Sequence, residues 1–308
     1  MLSVEFFYRM GSLVEPLYQR LHSARRKLAE QRLFEAQSHG VALSDPQAAA
    51  RQLIANVLAR SLDDLLVEKL LSENRLERAE VRGRDNLRSA MERGRGVVLV
   101  SGHFYATRIA RRQLVAAGLP ILSVRDTTPP EKIRGRIGKL LLERPYAEFF
   151  HSVAGDEVFV QDPECSLKIL RRLREGGIVQ IYFDLDSSHA KARLPFLGGW
   201  HTFAAGFLDI VRVSRCSLIP MLCLGNSRRL RIVFDAPLDL NYDLDRLEFV
   251  GACLPGLARM LQAQVVEHPD QWELFIRTAE PVDYRADCSA GRGCNRIPGG
   301  AGTETILP

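Results

Sequence analysis

The sequence predicts an α/β fold, a mainly parallel central sheet flanked by helices and preceded by an N-terminal helical region. Three observations carry that expectation. Short β-branched apolar runs at 97–101, 178–183 and 217–224 have the length and composition of strands buried on both faces. Segments with helical spacing separate these runs, and strands alternating with helices favour parallel pairing. The run Val97-Val98-Leu99-Val100-Ser101 also ends in Gly102-His103, a polar residue at the carboxyl end of a strand, where open α/β sheets place their chemistry.

Taken in order, residues 1–34 space Phe6, Phe7, Met10, Leu13, Val14, Leu17 and Leu21 as on a helix, with Arg9, Arg20, Arg25, Arg26 and Lys27 between or after them. No run in this region reaches the roughly 18–20 apolar residues of a spanning helix, and it lacks the apolar core and cleavage site of a signal peptide. A basic amphipathic helix of this kind can lie in a membrane interface or dock on its own protein. Ser44-Asp45-Pro46 reads as a helix start, followed by the apolar series Leu53, Ile54, Val57, Leu58, Leu62, Leu65, Leu66 and Leu70. Val81 to Asn86 leads toward the sheet, and a short helix from Leu87 to Arg93 is stopped by Gly94.

After strand 97–101, a helix is expected from Tyr105 to Ala117 and the next strand over 121–124. Thr127 to Pro130 reads as a loop and 131–142 as a basic helix with Arg134, Arg136 and Lys139. A helix over 163–175, ended by Gly176-Gly177, precedes strand 178–183, which closes on Asp184. Residues 185–202 carry few helical signals. A helix over about 203–213, strands 217–224 and 230–234 and a helix over 246–267 follow. The Gly-rich, aperiodic stretch from about 278 is expected to be disordered. These features divide the chain into an N-terminal helical region (1–80), an α/β domain (81–277) and a tail (278–308).

Composition narrows the function classes. At 46% hydrophobic and 26% charged, the chain is globular, neither disordered nor polytopic. A net charge of +5 calls for an anionic partner, which nucleic acid, membrane lipid or an acidic carrier would each satisfy. Six cysteines without a Cys-x-x-Cys pair argue against a zinc knuckle and fit a reducing compartment.

Five blocks resemble, in order, those of the bacterial lipid A biosynthesis acyltransferases, within the lysophospholipid acyltransferase superfamily. The first runs from Gly96 through His103-Phe104 to Arg108. The second comprises Ser123-Val124-Arg125 with Arg134 and Arg136. The third runs from Gly177 to Asp184-Leu185-Asp186. Pro195-Phe196-Leu197-Gly198 and His268-Pro269-Asp270-Gln271-Trp272 complete the set. The similarity spans roughly residues 45–277 and implies a glycerolipid acyltransferase-like fold.

The resemblance implies transfer of a fatty acyl group from a thioester of acyl-carrier protein or coenzyme A to a hydroxyl of a lipid or glycolipid. It implies His103 as general base, substrate contacts at Arg125, Arg134, Arg136, Asp184 and Asp186, and no metal or further cofactor. Arg125 ends a strand, where a guanidinium fork suits phosphate oxygens. No Gly-x-Ser-x-Gly elbow supplies a covalent nucleophile. The expected location is the cytoplasmic face of the inner membrane, held peripherally on anionic lipid.

The family pairs its His with an acid five positions later, and here that position is Arg108. Arginine only donates hydrogen bonds and is permanently charged, so it cannot orient the imidazole or stabilise its cation. Tyr105-Ala106-Thr107 stands where the family has Gly-Asn-Trp, and Gly199-Trp200 where it has an Arg after its Pro-Phe-Phe-Gly block. One reading is an enzyme in which Asp184 or Asp186 supports His103. A second is a member that binds lipid or acyl carrier without turnover. A third, a basic nucleic-acid binder using Arg111-Arg112, Arg171-Arg172 and Arg228-Arg229-x-Arg231, finds no recognisable module, and no nucleic acid is expected. A metal on Asp184 and Asp186 lacks further ligands. His189 and His201 are loop residues that would rim the site. His268 and Trp272 need no role beyond structure, because a His-Pro pair commonly ends a helix.

Overall fold

The computed structural model describes residues 3–66, 70, 79–125, 156–185, 190–277 and 282–284, with the backbone of 295–296 and 304–305. The expected basic helix over 131–142, the loop at 127–130, Asp186, His189 and most of the tail lie outside the described residues.

The central sheet has seven strands: β1 (Glu80–Arg82), β2 (Val97–Ser101), β3 (Ile121–Arg125), β4 (Glu157–Phe159), β5 (Ile178–Tyr182), β8 (Ser217–Leu224) and β9 (Arg231–Phe234). Their spatial order is β1-β9-β8-β2-β5-β3-β4. The strands from β8 to β4 are mutually parallel, and β9 turns antiparallel to β8 and carries β1 parallel beside it. The α/β class and the mainly parallel sheet are therefore as expected.

Strand β2 is the middle of the sheet, and its alternation explains its apolar run. Val98 and Val100 point into one core with Val179, Leu218 and Phe249, while Val97 and Leu99 point into another with Ile109 and Ile219. Both faces are covered, which accounts for the unbroken apolar run from Val97 to Val100.

Helices α1 (Val4–Leu21), α2 (Ser23–Ser38) and α3 (Pro46–Leu65) form the N-terminal region, with Asp45 capping α3 by accepting from the Ala48 N–H at 2.8 Å. Leu33, Leu53 and Ile54 join the same core as Val98 and Val179, so α2 and α3 pack as part of the α/β body. Helix α1 turns Val4, Tyr8 and Gly11 inward and leaves Phe6, Met10, Leu13, Val14, Leu17 and Leu21 exposed. Helices α4 (Arg84–Glu92), α5 (Thr107–Ala116), α6 (Cys165–Arg174), α7 (Gly206–Ser214) and α8 (Arg246–Glu267) follow among the described residues. Among the described helices only α8 is long and apolar enough to cross a membrane, yet Phe249, Leu254, Leu257, Leu261 and Val265 turn that face into the core.

The segment 185–202, read as irregular, contains a hairpin. Strands β6 (Lys191–Phe196) and β7 (Gly199–Ala204) pair antiparallel through Phe196 and Gly199. The expected helix at 203 therefore starts later, at Gly206. Pro195 is exposed, while Ala192, Leu194 and Phe196 alternate inward. The two-residue turn places Leu197 at φ 49° and Gly198 at φ 77°, the left-handed pair that short hairpin loops require. The strained Leu197 is tied down by Gln262, whose Oε1 accepts its N–H at 2.7 Å, and by the Tyr284 hydroxyl, which donates to its carbonyl at 3.1 Å. Tyr284 belongs to the stretch expected to be disordered. There Asp283 bridges Trp200, so residues 282–284 strap the hairpin.

Candidate active site

The register of the sheet builds the site. Ser101 of β2 faces Tyr182 of β5 in a parallel pair, so two residues further along each chain His103 and Asp184 arrive together at the carboxyl edge. The Nδ1 of His103 lies 2.5 Å from Asp184 Oδ1, and the His103 backbone N–H donates to Oδ2 at 2.7 Å. The indole Nε1–H of Trp272 donates to the same Oδ2 at 2.8 Å. Asp184 is fully buried, and the His103 side chain keeps 14% of its surface.

Burial alone would raise the Asp184 pKa, but the His103 charge, the two His103 N–H groups and the Trp272 N–H together hold it below the usual carboxylate range. An ionised carboxylate only accepts, so His103 carries its proton on Nδ1. That leaves Nε2 as a base, and it has no protein partner among the described residues. The Tyr182 ring packs tilted against the imidazole, with centroids 4.4 Å apart. Burial pushes the Tyr182 hydroxyl up to about 12, so it stays neutral.

Glycine is needed between β2 and His103. A Cβ at position 102 would lie 2.5 Å from Leu261 Cδ1 and 3.1 Å from Asp184 Oδ2. Beside this point an apolar cleft opens between β8 and α8, lined by Phe104, Phe183, Met221, Leu257, Met260 and Leu261.

Residues 271–273 hold the His103 loop from the other side. Phe104 and Trp272 form an antiparallel bridge, the Tyr105 N–H donates to Gln271 O at 3.1 Å and the Glu273 N–H to His103 O at 2.8 Å. Asn56 of α3 anchors this strap, donating to both the carbonyl and the carboxylate of Asp270. His268 ends α8, donating its N–H to Gln264 O, and stands 3.5 Å from Glu267. His201 is buried on β7, with Nε2 3.2 Å from the Asp184 carbonyl, which places it under the site and not on the expected rim.

The flanking charges are organised as carboxylates bridging guanidiniums. Asp64 lies 3.6 Å from Arg108 and 3.4 Å from Arg112; Glu157 lies 3.1 Å from Arg111 and 2.9 Å from Arg125. Glu273 lies 2.7 Å from Arg60 and 3.4 Å from Arg277. Burial would raise the Glu273 pKa, but Arg60, Arg277, Arg108 and His103 lower it to about 2. Arg111 and Arg112 are buried in these pairs, which removes them from any nucleic-acid surface.

Among the residues singled out in the sequence, His103 and Asp184 meet. Asp184 is buried behind the imidazole, a position for orienting His103 and not for touching substrate. Arg125 ends β3 with Nη1 on both Glu157 oxygens, and its other N–H groups have no partner among the described residues. Arg134, Arg136 and Asp186 lie outside the described residues. Trp272, Asn56 and Tyr182 were not expected at the site; only Trp272 carried a signal, through the block ending in Gln271-Trp272.

The family model for bacterial lipid A biosynthesis acyltransferases matches residues 46–278. No curated protein matches the chain.

Proposed function

Because the chain belongs to the bacterial lipid A biosynthesis acyltransferase family, we propose that it moves a fatty acyl group from a thioester carrier to a hydroxyl of a lipid or glycolipid, with His103 as general base and Asp184 as its orienting acid. The observation that carries this reading is the 2.5 Å contact between His103 Nδ1 and Asp184 Oδ1. It supplies from strand β5 the carboxylate that Arg108 cannot provide.

In this scheme Nε2 of His103 takes the proton of the acceptor hydroxyl as its oxygen attacks the thioester carbonyl. The ionised Asp184 offsets the charge of the imidazolium that forms. The carbon–sulfur bond breaks, the thiolate of the carrier leaves, and the imidazolium returns the proton to it. The acyl chain becomes an ester of the acceptor, and no covalent enzyme intermediate is formed. The cleft beside Gly102 and Phe104 receives the apolar chain. The partly exposed guanidinium of Arg125 holds phosphate of carrier or acceptor. The roles of Arg134, Arg136 and Asp186 as substrate contacts rest on the resemblance alone, as does the absence of a metal or further cofactor.

The same proposal places the protein peripherally on the cytoplasmic face of the inner membrane. Support comes from the six apolar side chains that α1 leaves exposed along one face, with Arg9, Arg20, Arg25 and Lys27 exposed near them. Such a helix lies in the interface and is drawn to anionic lipid.

Binding without turnover is the competing reading, favoured by Arg108 at the family's acid position. Two measurements decide. Cells with and without the gene should differ in lipid acylation, and His103→Ala should abolish the difference while leaving the protein folded. Equal acylation with and without the gene would support binding alone, and a variant that keeps the difference would overturn His103 as the base.

A further inference from the structure

We propose that Trp272 is a positioning residue of the dyad, its indole N–H fixing the Asp184 carboxylate so that Oδ1 stays aimed at His103. The inference rests on the reading of His103 as general base. It goes beyond that reading by giving a function to a side chain that the mechanism does not otherwise need.

The geometry separates this role from simple core filling. Trp272 is completely buried, edge-on to Phe275 at 4.9 Å and tilted against Phe196 at 5.5 Å. A phenylalanine would satisfy that packing. Only an indole adds a donor, and Nε1–H points it at Asp184 Oδ2 from 2.8 Å. Oδ2 thereby receives two N–H groups, one from the His103 backbone and one from Trp272, which stops the carboxylate from swinging. Oδ1 is left with the imidazole as its partner.

The Trp272 main chain meanwhile bridges Phe104, and its neighbours hold Tyr105 and His103. One residue thus fixes both the loop that carries the base and the acid behind it. Hydrogen bonds to a buried charge are among the stronger ones and tend to act as a network.

The chain has two tryptophans, Trp200 and Trp272, so the indole N–H region of a proton–nitrogen NMR spectrum of the full chain holds two signals. The Trp272 signal should exchange slowly with D2O, and Asp184→Asn should move it while leaving that of Trp200 in place. Trp272→Phe should lower turnover of a fatty acyl-coenzyme A about tenfold in kcat with KM within about twofold. It should also move the low-field proton signal of the His103 Nδ1–H, because that proton reports the hydrogen bond to Asp184 Oδ1. Phe275→Leu perturbs the same packing without removing a donor, so it should lower thermal stability and leave the His103 Nδ1–H signal where it was.

A Trp272 signal blind to Asp184→Asn overturns the proposal. So does a Phe275→Leu variant that moves the His103 Nδ1–H signal as much as Trp272→Phe. In either case, His103→Ala still abolishing turnover would leave the base assignment standing. If His103→Ala retains turnover instead, the base assignment falls, and the positioning role falls with it.

Discussion

His103 and Asp184 stand 81 positions apart in the chain, yet their side chains meet at 2.5 Å. The parallel register of β2 and β5 brings them together. In the proposed reading Asp184 takes the part of the family's acid from just beyond the end of β5, and Arg108 lies 3.6 Å from Asp64. A charge that looks incompatible with an imidazolium is thereby taken up by a different carboxylate.

Arg108→Gln should therefore matter little to the chemistry. Turnover should stay within about threefold, below ~1 kcal/mol of barrier, with a small loss of stability from the broken pair with Asp64. Steady-state rates and a melting curve check both. A loss of about 10²-fold would mean that Arg108 acts in the reaction.

Gly102→Ala should be far more damaging than its size suggests. The new methyl would meet Leu261 at 2.5 Å and press on Asp184 at 3.1 Å. Relief requires the buried Leu261 side chain to repack and the carboxylate to give by a few tenths of an ångström, so kcat should fall by more than about tenfold, with a loss of roughly 1–3 kcal/mol in stability from overpacking. Turnover and denaturant melts at wild-type levels would show that the strand end yields more easily than this packing implies.

The membrane face of α1 can be tested without disturbing the core. Leu13 and Leu17 are 74% and 59% exposed, so Leu13→Glu with Leu17→Glu should change folding stability by less than about 1 kcal/mol. Binding to vesicles of anionic phospholipid should weaken by at least ~10²-fold, the cost of two lost leucine burials. Wild-type binding should itself fall as salt rises. Equal binding by variant and wild type would exclude α1 as the contact.

Glu273 should shape the acid limb of stability. Its pKa falls from 4.5 to about 2 on folding, so the folded state holds fewer protons than the unfolded one in this window. The stabilisation is complete above pH 4.5 and is lost as pH falls from there toward 2. Glu273→Gln should cost roughly 2 kcal/mol at neutral pH, and its melting temperature should converge with wild type near pH 2. Parallel curves would contradict the assignment.

Much of this was legible in the sequence because it is local. Strand 217–224 and helix 246–267 were expected with the bounds the structure gives them, since the length and period of an apolar run are written within a few residues. The α1 stripe and the placement of His103 at a strand end are local in the same way. The β6–β7 hairpin was hidden because Pro195 and Gly198-Gly199 interrupt its apolar alternation, and residues 185–202 showed only an absence of helical signals. Asp184 could be named as a possible partner of His103, but only strand register chooses it. Trp272 and Asn56 were illegible as parts of the site: each acts through a single hydrogen bond or pair of bonds across 88 or 214 positions, and no spacing rule encodes contacts of that range.

The central claim is that His103 works through Asp184, and a double-mutant cycle on kcat/KM tests it most directly. His103→Ala should lower kcat/KM by ~10²–10⁴-fold, the usual contribution of a general base, and Asp184→Asn by at least ~10²-fold. Combining them should cost no more than His103→Ala alone, because an acid that acts only through the imidazole has nothing to orient once the ring is gone. Losses that multiply in the double variant, or an Asp184→Asn enzyme within about threefold of wild type, would contradict the account.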